Sequence, residues 1–205
     1  VAGPGEDPAA EWERLGCVHI DGSFRGNAVD PDIMRMADGR YRLFYYGSVD
    51  LTGDPMPTGP HPVSSAISED GFYFSDEGVR IWVDSVTDPT AVQLASGRWL
   101  IGMDRGSRTI FAESEDGDSF SLMEGAEVPL GGGPELHALS DGRVRLYARN
   151  PEGIQSFISA DEGRSWSQES GTRLVAPAGQ VLADASLVAM PDGSWVMFYK
   201  LQDMM

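Results

Sequence analysis

Cysteine is almost absent from this chain: Cys17 is the only one among 205 residues. An internal disulfide and any cysteine-rich metal site are therefore excluded, and the role expected of Cys17 is that of a thiol packed within a strand. Lysine is equally scarce, since of 15 basic residues only Lys200 is a lysine. Set against 32 Asp and Glu, the cations leave a formal charge of −17. A chain so short of the side chains that hold phosphates is not expected to bind nucleic acid or an anionic membrane surface. Three histidines are scattered without metal-ligand spacing, and His137 is expected to be a satisfied structural imidazole. No stretch approaches the ~20 apolar residues of a membrane helix, none reads as a signal peptide, and none asks for a long helix.

Glycine and proline are plentiful instead, at 25 and 13 residues, and they fall in a repeating pattern. Ser68-Glu69-Asp70-Gly71-Phe72-Tyr73-Phe74 returns as Ser114-Glu115-Asp116-Gly117-Asp118-Ser119-Phe120 and, one residue longer, as Ser159-Ala160-Asp161-Glu162-Gly163-Arg164-Ser165-Trp166. The copies start 46 and 45 residues apart. A period of that length with short strands and many turns is the mark of a propeller blade. Ahead of each box lies a second recurring segment, starting at Asp30, Asp88, Gly133 and Asp184, in which two alternating runs flank Asp38-Gly39, Ser96-Gly97, Asp141-Gly142 or Asp192-Gly193. Such pairs between period-2 runs signal β-hairpins, because the tight turn needs residues that tolerate positive φ.

The expected fold is all-β, one β-propeller domain over residues 1–205 built of four-stranded antiparallel blades. About four units are visible, at 27–83, 84–129, 130–178 and 179–205, the last completed by 5–22, where Asp7 and Trp12 keep the box spacing. This is either a four-bladed ring or a fragment of a five- or six-bladed one. A ring closed by both chain ends within one blade would remove exposed edges. The longer interval from Asp30 to Asp88 is expected to hold an inserted surface loop at Val49 to Pro62.

In the boxes, Ser68, Asp70 and Gly71, Ser114, Asp116 and Gly117, and Ser159, Asp161, Gly163 and Trp166 carry the chemistry of a turn. Side-chain oxygens accept local N–H groups, Gly takes a conformation that others resist, and the aromatic anchors the hairpin between blades. These carboxylates are structural and are not nominated as catalysts.

The box at Ser159 to Trp166 resembles the Asp-box (BNR repeat) of sialidases and related propellers, and the copies at Ser68 and Ser114 match a shortened form with Phe for Trp. Asp30-Pro31-Asp32-Ile33 and Asp88-Pro89-Thr90-Ala91 resemble the openings of the first two blades in five-bladed arabinanase and β-xylosidase-type glycosidases. That resemblance implies a glycan substrate, Asp30 as general base and Asp88 as the residue tuning the pKa of a third-blade acid. Where those enzymes have Glu-Gly-Pro this chain has Gly132-Gly133-Pro134, so Glu135 is the acid candidate from a displaced position. The sialidase resemblance implies arginines that grip a substrate carboxylate, for which Arg25, in Phe24-Arg25-Gly26-Asn27, and then Arg105 and Arg149 are the candidates.

Alternation of strand direction gathers the starts of first strands and the ends of second strands on one face, away from the boxes. Arg25, Asp30, Asp88, Arg105, Glu135, Arg149 and Asp184 are expected there, with Asp50, Asp104, Asn150 and Lys200 alongside. Asp30, Asp88 and Asp184 share one column, so three carboxylates ring one axis. They could divide into acid and base for glycoside hydrolysis, or they could cap strand starts or hold a structural cation such as calcium in the central channel. No cofactor is expected otherwise. The readings left open are a glycoside hydrolase and a non-catalytic propeller that binds a glycan or a protein. A secreted or periplasmic location is the weaker expectation that follows from acidity, the lone cysteine and a glycan-type fold.

Overall fold

The computed structural model describes residues 16–22, 28–47, 60–190 and 192–203, and every regular element among them is a β-strand. The first sheet comprises β1 (His19–Ile20), β2 (Val29–Arg35), β3 (Tyr41–Tyr46), β4 (Pro60–Ser68) and β5 (Tyr73–Asp84), in the order β1-β5-β4-β3-β2. The second runs in sequence through β6 (Thr87–Gln93), β7 (Trp99–Asp104), β8 (Thr109–Ser114) and β9 (Ser121–Val128). The third holds β10 (Glu135–Ala138), β11 (Val144–Asn150) and β12 (Gly153–Ser159), with β13 (Ser167–Gln168) and β14 (Leu174–Val175) both paired to β12. Last comes the hairpin of β15 (Gln180–Ala189) and β16 (Trp195–Asp203). These are blades of a β-propeller, with β2, β6, β10 and β15 innermost.

The repeated turn pairs close the four inner hairpins alike. The N–H groups of Met36, Leu94, Leu139 and Met190 donate to the carbonyls of Arg40, Arg98, Arg143 and Ser194 at 2.7 to 2.9 Å. The boxes close the other hairpins as expected: Ser68 Oγ, Ser114 Oγ and Ser159 Oγ each donate to the box Asp at 2.8 to 3.1 Å. The same oxygens accept the N–H of Gly71, Gly117 and Gly163, and Asp70 takes two more N–H groups, from Phe72 and Tyr73. Those N–H donors hold Asp70 below the usual carboxylate range. The box aromatics do reach the preceding blade: Trp166 stacks on Phe111 at 4.8 Å and Phe120 meets Phe44 edge-on at 6.2 Å.

The core lies between consecutive blades. Phe44 and Val63 of the first pack with Trp99, Ile101 and Met103 of the second, and Leu100 and Phe111 of the second with Leu136, Leu146 and Phe157 of the third. Each fully buried side chain of this size contributes ~1.5–3 kcal/mol. Ion pairs follow the same boundaries: Arg42 and Arg80 reach Asp118 at 3.5 and 3.1 Å, and Arg98 reaches Glu162 at 3.0 Å.

Three local expectations are corrected. The described part of the N-terminal segment, residues 16–22, does not add to the last hairpin, since His19 and Ile20 run parallel to Tyr73 and Phe74 of the first sheet. Ile20 is buried there with Leu43, Tyr45 and Phe74, His19 stacks on Tyr73 at 5.5 Å, and Asp21 accepts the Asp76 N–H at 3.0 Å. Cys17 is exposed ahead of β1 rather than packed within a strand. Pro60, His61 and Pro62 belong to β4, not to an inserted loop, and His61 is buried with Nδ1 2.5 Å from the Val86 carbonyl. Asp7, Trp12 and the rest of that loop, including Asp50, lie outside the described residues.

Candidate functional site

One irregularity recurs on three innermost strands. The pairing of β2 with β3 slips between Val29 and Asp32, that of β6 with β7 between Thr87 and Thr90, and that of β15 with β16 between Ala183 and Ser186. A bulge leaves residues unpaired and re-aims their side chains. Here the first unpaired residue each time is an aspartate in the left-handed region: Asp30 at φ 46°, Asp88 at φ 48° and Asp184 at φ 52°. The matching residue of the third blade is Gly133, at φ 67°. A non-glycine residue in this region costs ~1–2 kcal/mol.

The three carboxylates line a cavity of about 250 Å³ at one end of the channel, together with Gly133, Glu135 and Ser186. Burial first, then the charges of Asp88 and Asp184, push the Asp30 carboxyl up to about 6. Tyr46, which ends β3 beside β2, hydrogen-bonds to Asp30, and burial, then the charges of Asp30 and Asp88, push its phenol up to about 12. Asp88 is raised by burial and by Asp184, against a hydrogen bond from Thr87 Oγ1 at 2.6 Å. Lys200 Nζ stands 3.5 Å from Asp184. Arg149 lies close enough to temper the charge of Asp88 and Asp104. Asp104 is itself raised, chiefly by burial, although it accepts the Gly132 N–H at 2.6 Å.

Next to this cavity lies a second one of about 970 Å³, bordered by Ile33, Met34, Gln93 and His137. Asp32 and Glu135 border both cavities. Burial and the Glu135 charge push Asp32 up to about 7. Asp32 therefore holds its proton more readily than an ordinary carboxyl does. Glu135 is buried, with Oε1 3.3 Å from the Leu187 N–H and 3.3 Å from His137 Nε2. His137 also packs edge-on to Trp195 at 5.0 Å, but its buried Nε2 makes no hydrogen bond among the described residues, so it is not the satisfied imidazole expected.

Asp30, Asp88, Glu135 and Asp184 thus come together at one cavity, with Arg149 and Lys200 at its rim. Arg105 is directed elsewhere, its guanidinium on the Asp84 carbonyl at 3.0 and 3.2 Å. Asn150 serves its own turn, accepting the N–H groups of Glu152 and Gly153. Arg25 lies outside the described residues. A side chain on Gly132, where the resemblance has glutamate, would meet Arg149 Cγ and Nε at 2.7 Å. Asp32 was missed in sequence, where the second Asp of Asp-Pro-Asp reads only as one more position in an alternating strand. Among the described residues no three carboxylate, imidazole or thiol groups stand close enough to form a ready metal cage.

No protein-family profile matches the chain, and no curated protein matches it in sequence. Solved structures do match. A family 117 glycoside hydrolase from Zobellia galactanivorans is similar with a TM-score of 0.60 at 16% identity, over 86% of this chain and 68% of that one. An endo-arabinase from Bacteroides thetaiotaomicron gives a TM-score of 0.55 at 16% identity over 85% and 74%. A Dyadobacter fermentans protein gives 0.63 at 16% identity over 86% of this chain, which spans only 62% of its length. At such identities the likeness establishes the fold: that of propeller-type glycoside hydrolases.

Proposed function

We propose that this chain acts on a neutral glycan as a glycoside hydrolase, through the carboxylates at the mouth of the channel. The observation that carries the reading is the set of three left-handed aspartates, at one register of three blades, converging on one cavity. In this reading Asp30, ionised above pH 6 and steadied by the Tyr46 hydroxyl, takes a proton from the attacking water. Asp88 and Asp184 keep its pKa high enough for that task. The leaving oxygen is protonated by Glu135, which borders the cavity. Hydrolysis needs one protonated and one ionised carboxyl, the roles this reading gives to Glu135 and Asp30. A carboxylated sugar fits less well, because three crowded carboxylates repel it and only Arg149, of the candidate arginines described, stands at the rim. The site's proximity to Lys200 and Arg149 favours polar contacts to ring hydroxyls.

The test is hydrolysis of a panel of fluorogenic glycosides, comprising arabinofuranosides, xylosides, galactosides and sialosides, by the wild-type chain and by Asp30→Asn and Asp88→Asn. Turnover of a neutral glycoside that falls by ~10²–10⁴ in Asp30→Asn supports the reading. Turnover unchanged in both variants sinks it. A second reading has one observation in its favour: the third-blade acid position is Gly132, and Arg149 fills the space beside it. That reading is a glycan-binding propeller without catalysis, and it requires saturable binding without turnover, lost in Arg149→Ala.

A further inference from the structure

Three of the four innermost strands carry, two residues after the bulge aspartate or its glycine counterpart, a polar side chain that hydrogen-bonds into the next blade. Asp32 Oδ2 accepts the N–H of Ala91 at 2.7 Å. Thr90 Oγ1 accepts the N–H of Leu136 at 3.0 Å, and Glu135 Oε1 accepts that of Leu187 at 3.3 Å. The donors stand in one register too: Ala91 is three residues after Asp88, Leu136 three after Gly133, and Leu187 three after Asp184. The first blade grips the second, the second the third, and the third the fourth, always just below the cavity-lining position.

These innermost N–H groups have no strand neighbour on the channel side, so a side chain from the previous blade is what satisfies them. A buried N–H left without a partner costs as much as a lost hydrogen bond. The first link is the shortest of the three. It also joins the two residues that matter most to the proposed reaction, since Asp32 is two residues from Asp30 and Ala91 three from Asp88.

We propose that Asp32 is a positioning residue of the channel-mouth site, fixing the strand that bears Asp88 against the strand that bears Asp30 through the Ala91 N–H. It is not a catalytic residue: it holds another blade's backbone rather than the reacting atoms. This rests on the glycosidase reading for its effect on turnover, but the link itself is independent of it. Asn at position 32 keeps an acceptor oxygen, whereas Ala removes it. Thr90→Ser and Thr90→Val make the same comparison at the next boundary.

The experiment is amide hydrogen exchange, resolved by residue, on wild-type, Asp32→Asn, Asp32→Ala, Thr90→Ser and Thr90→Val chains, with kcat and KM on whichever glycoside the panel identifies. The expected result is exchange at Ala91 faster by about tenfold or more in Asp32→Ala and within about threefold of wild type in Asp32→Asn. In Thr90→Val the acceleration moves to Leu136. Displacing Asp88 from Asp30 by a fraction of an ångström should lower kcat in Asp32→Ala by about tenfold or more with KM within about twofold, and Asp32→Asn should restore most of it. Unchanged Ala91 exchange in Asp32→Ala overturns the link, and accelerated exchange with an unchanged kcat overturns the positioning role. A wild-type chain that turns over no glycoside defeats the glycosidase reading instead. Ala91 exchange then still decides the link, and the NMR titration of the Asp30 carboxyl decides the positioning role: a midpoint that drops in Asp32→Ala supports it, and one that stays at its wild-type value overturns it.

Discussion

Replacing Asp30 by Asn should make the protein more stable at neutral pH while removing its proposed activity. The backbone there has φ 46°, a conformation that Asn accepts as readily as Asp, and the Asn side-chain oxygen can still take the Tyr46 hydroxyl. What changes is the charge. Burial and the neighbouring Asp88 and Asp184 push the carboxyl from its ordinary 3.8 to about 6, so the folded chain favours the protonated form. Between about pH 4 and pH 6 the folded state therefore binds more protons than the unfolded one, and wild-type stability falls as pH rises through that window. In a dry site the full shift would correspond to about 3 kcal/mol. Asp30 is open to water on one side, so a loss of ~1 kcal/mol is the expected magnitude after solvent screening. Asn has no charge to crowd and escapes it. Urea unfolding at pH 4 should give equal stabilities, and at pH 7.5 the variant should lead by ~1 kcal/mol, equivalent to ~2–4 °C in Tm. A variant less stable at pH 7.5, or a difference that does not change with pH, would refute the argument that these carboxylates crowd one another.

Other positions test the frame. Gly163→Ala would force a side chain at φ 88° and place its Cβ 2.8 Å from Leu100 Cδ2 of the neighbouring blade. A loss of ~2–4 kcal/mol in chemical denaturation is expected from strain and overpacking together, and a loss under ~0.5 kcal/mol would remove that contact from the account. Arg42, buried between the rings of Phe44 and Trp99, pairs with Glu77 at 2.7 Å. Arg42→Met should cost ~2–3 kcal/mol because it strands Glu77, and Arg42→Met/Glu77→Leu should recover most of it; equal losses in single and double variants would deny the coupling. Arg149→Ala should raise KM, or Kd for an inhibitory glycan, by about tenfold without altering the thermal midpoint by more than ~2 °C, as measured by titration calorimetry and scanning calorimetry.

Much of this architecture was legible in sequence because turns make residue-specific demands. An Asp-Gly or Ser-Gly turn and a Ser-x-Asp box each require particular oxygens and a glycine, so they repeat visibly wherever a blade repeats. Strand order and inter-blade aromatics followed from the same period. What stayed hidden is set by tertiary packing. Two residues, His19 and Ile20, are too few to show which sheet they join; the pocket formed by Leu43, Tyr45, Ala66 and Phe74 decides that. The outer strand of the third blade is split into β13 and β14 because Glu169 turns inward to Arg145, Ser156 and Arg173, between the two pieces. At the site, the column of Asp30, Asp88 and Asp184 could be aligned by eye. The bulge that aims them and the role of Asp32 across a blade boundary could not, since both depend on backbone conformation and on a neighbour far away in sequence.

Gly133 bears on the choice between chemistry and mere strand capping. If the fold needed only a chain able to turn into the left-handed region at this register, glycine would meet the need at least strain, as it does in the third blade at φ 67°. Three blades instead carry aspartate there. Each bears ~1–2 kcal/mol of backbone strain, and the three add mutual repulsion in a cavity of about 250 Å³. A capping role would also leave its mark in hydrogen bonds to nearby N–H groups, of the kind that lower the pKa of Asp70 and Asp116. Asp30 does accept the N–H of Asp88 in the next blade, yet both Asp30 and Asp88 shift the other way, upward, with burial as the first cause. Strain observed at one register is a reason to infer function there, and the third blade removes the alternative that the fold imposes it. Asp184→Gly is the direct comparison: it should leave stability at pH 7.5 unchanged or higher and let the Asp30 midpoint fall, because a like charge is gone. A fall in stability with no change at Asp30 would return the aspartates to a structural role.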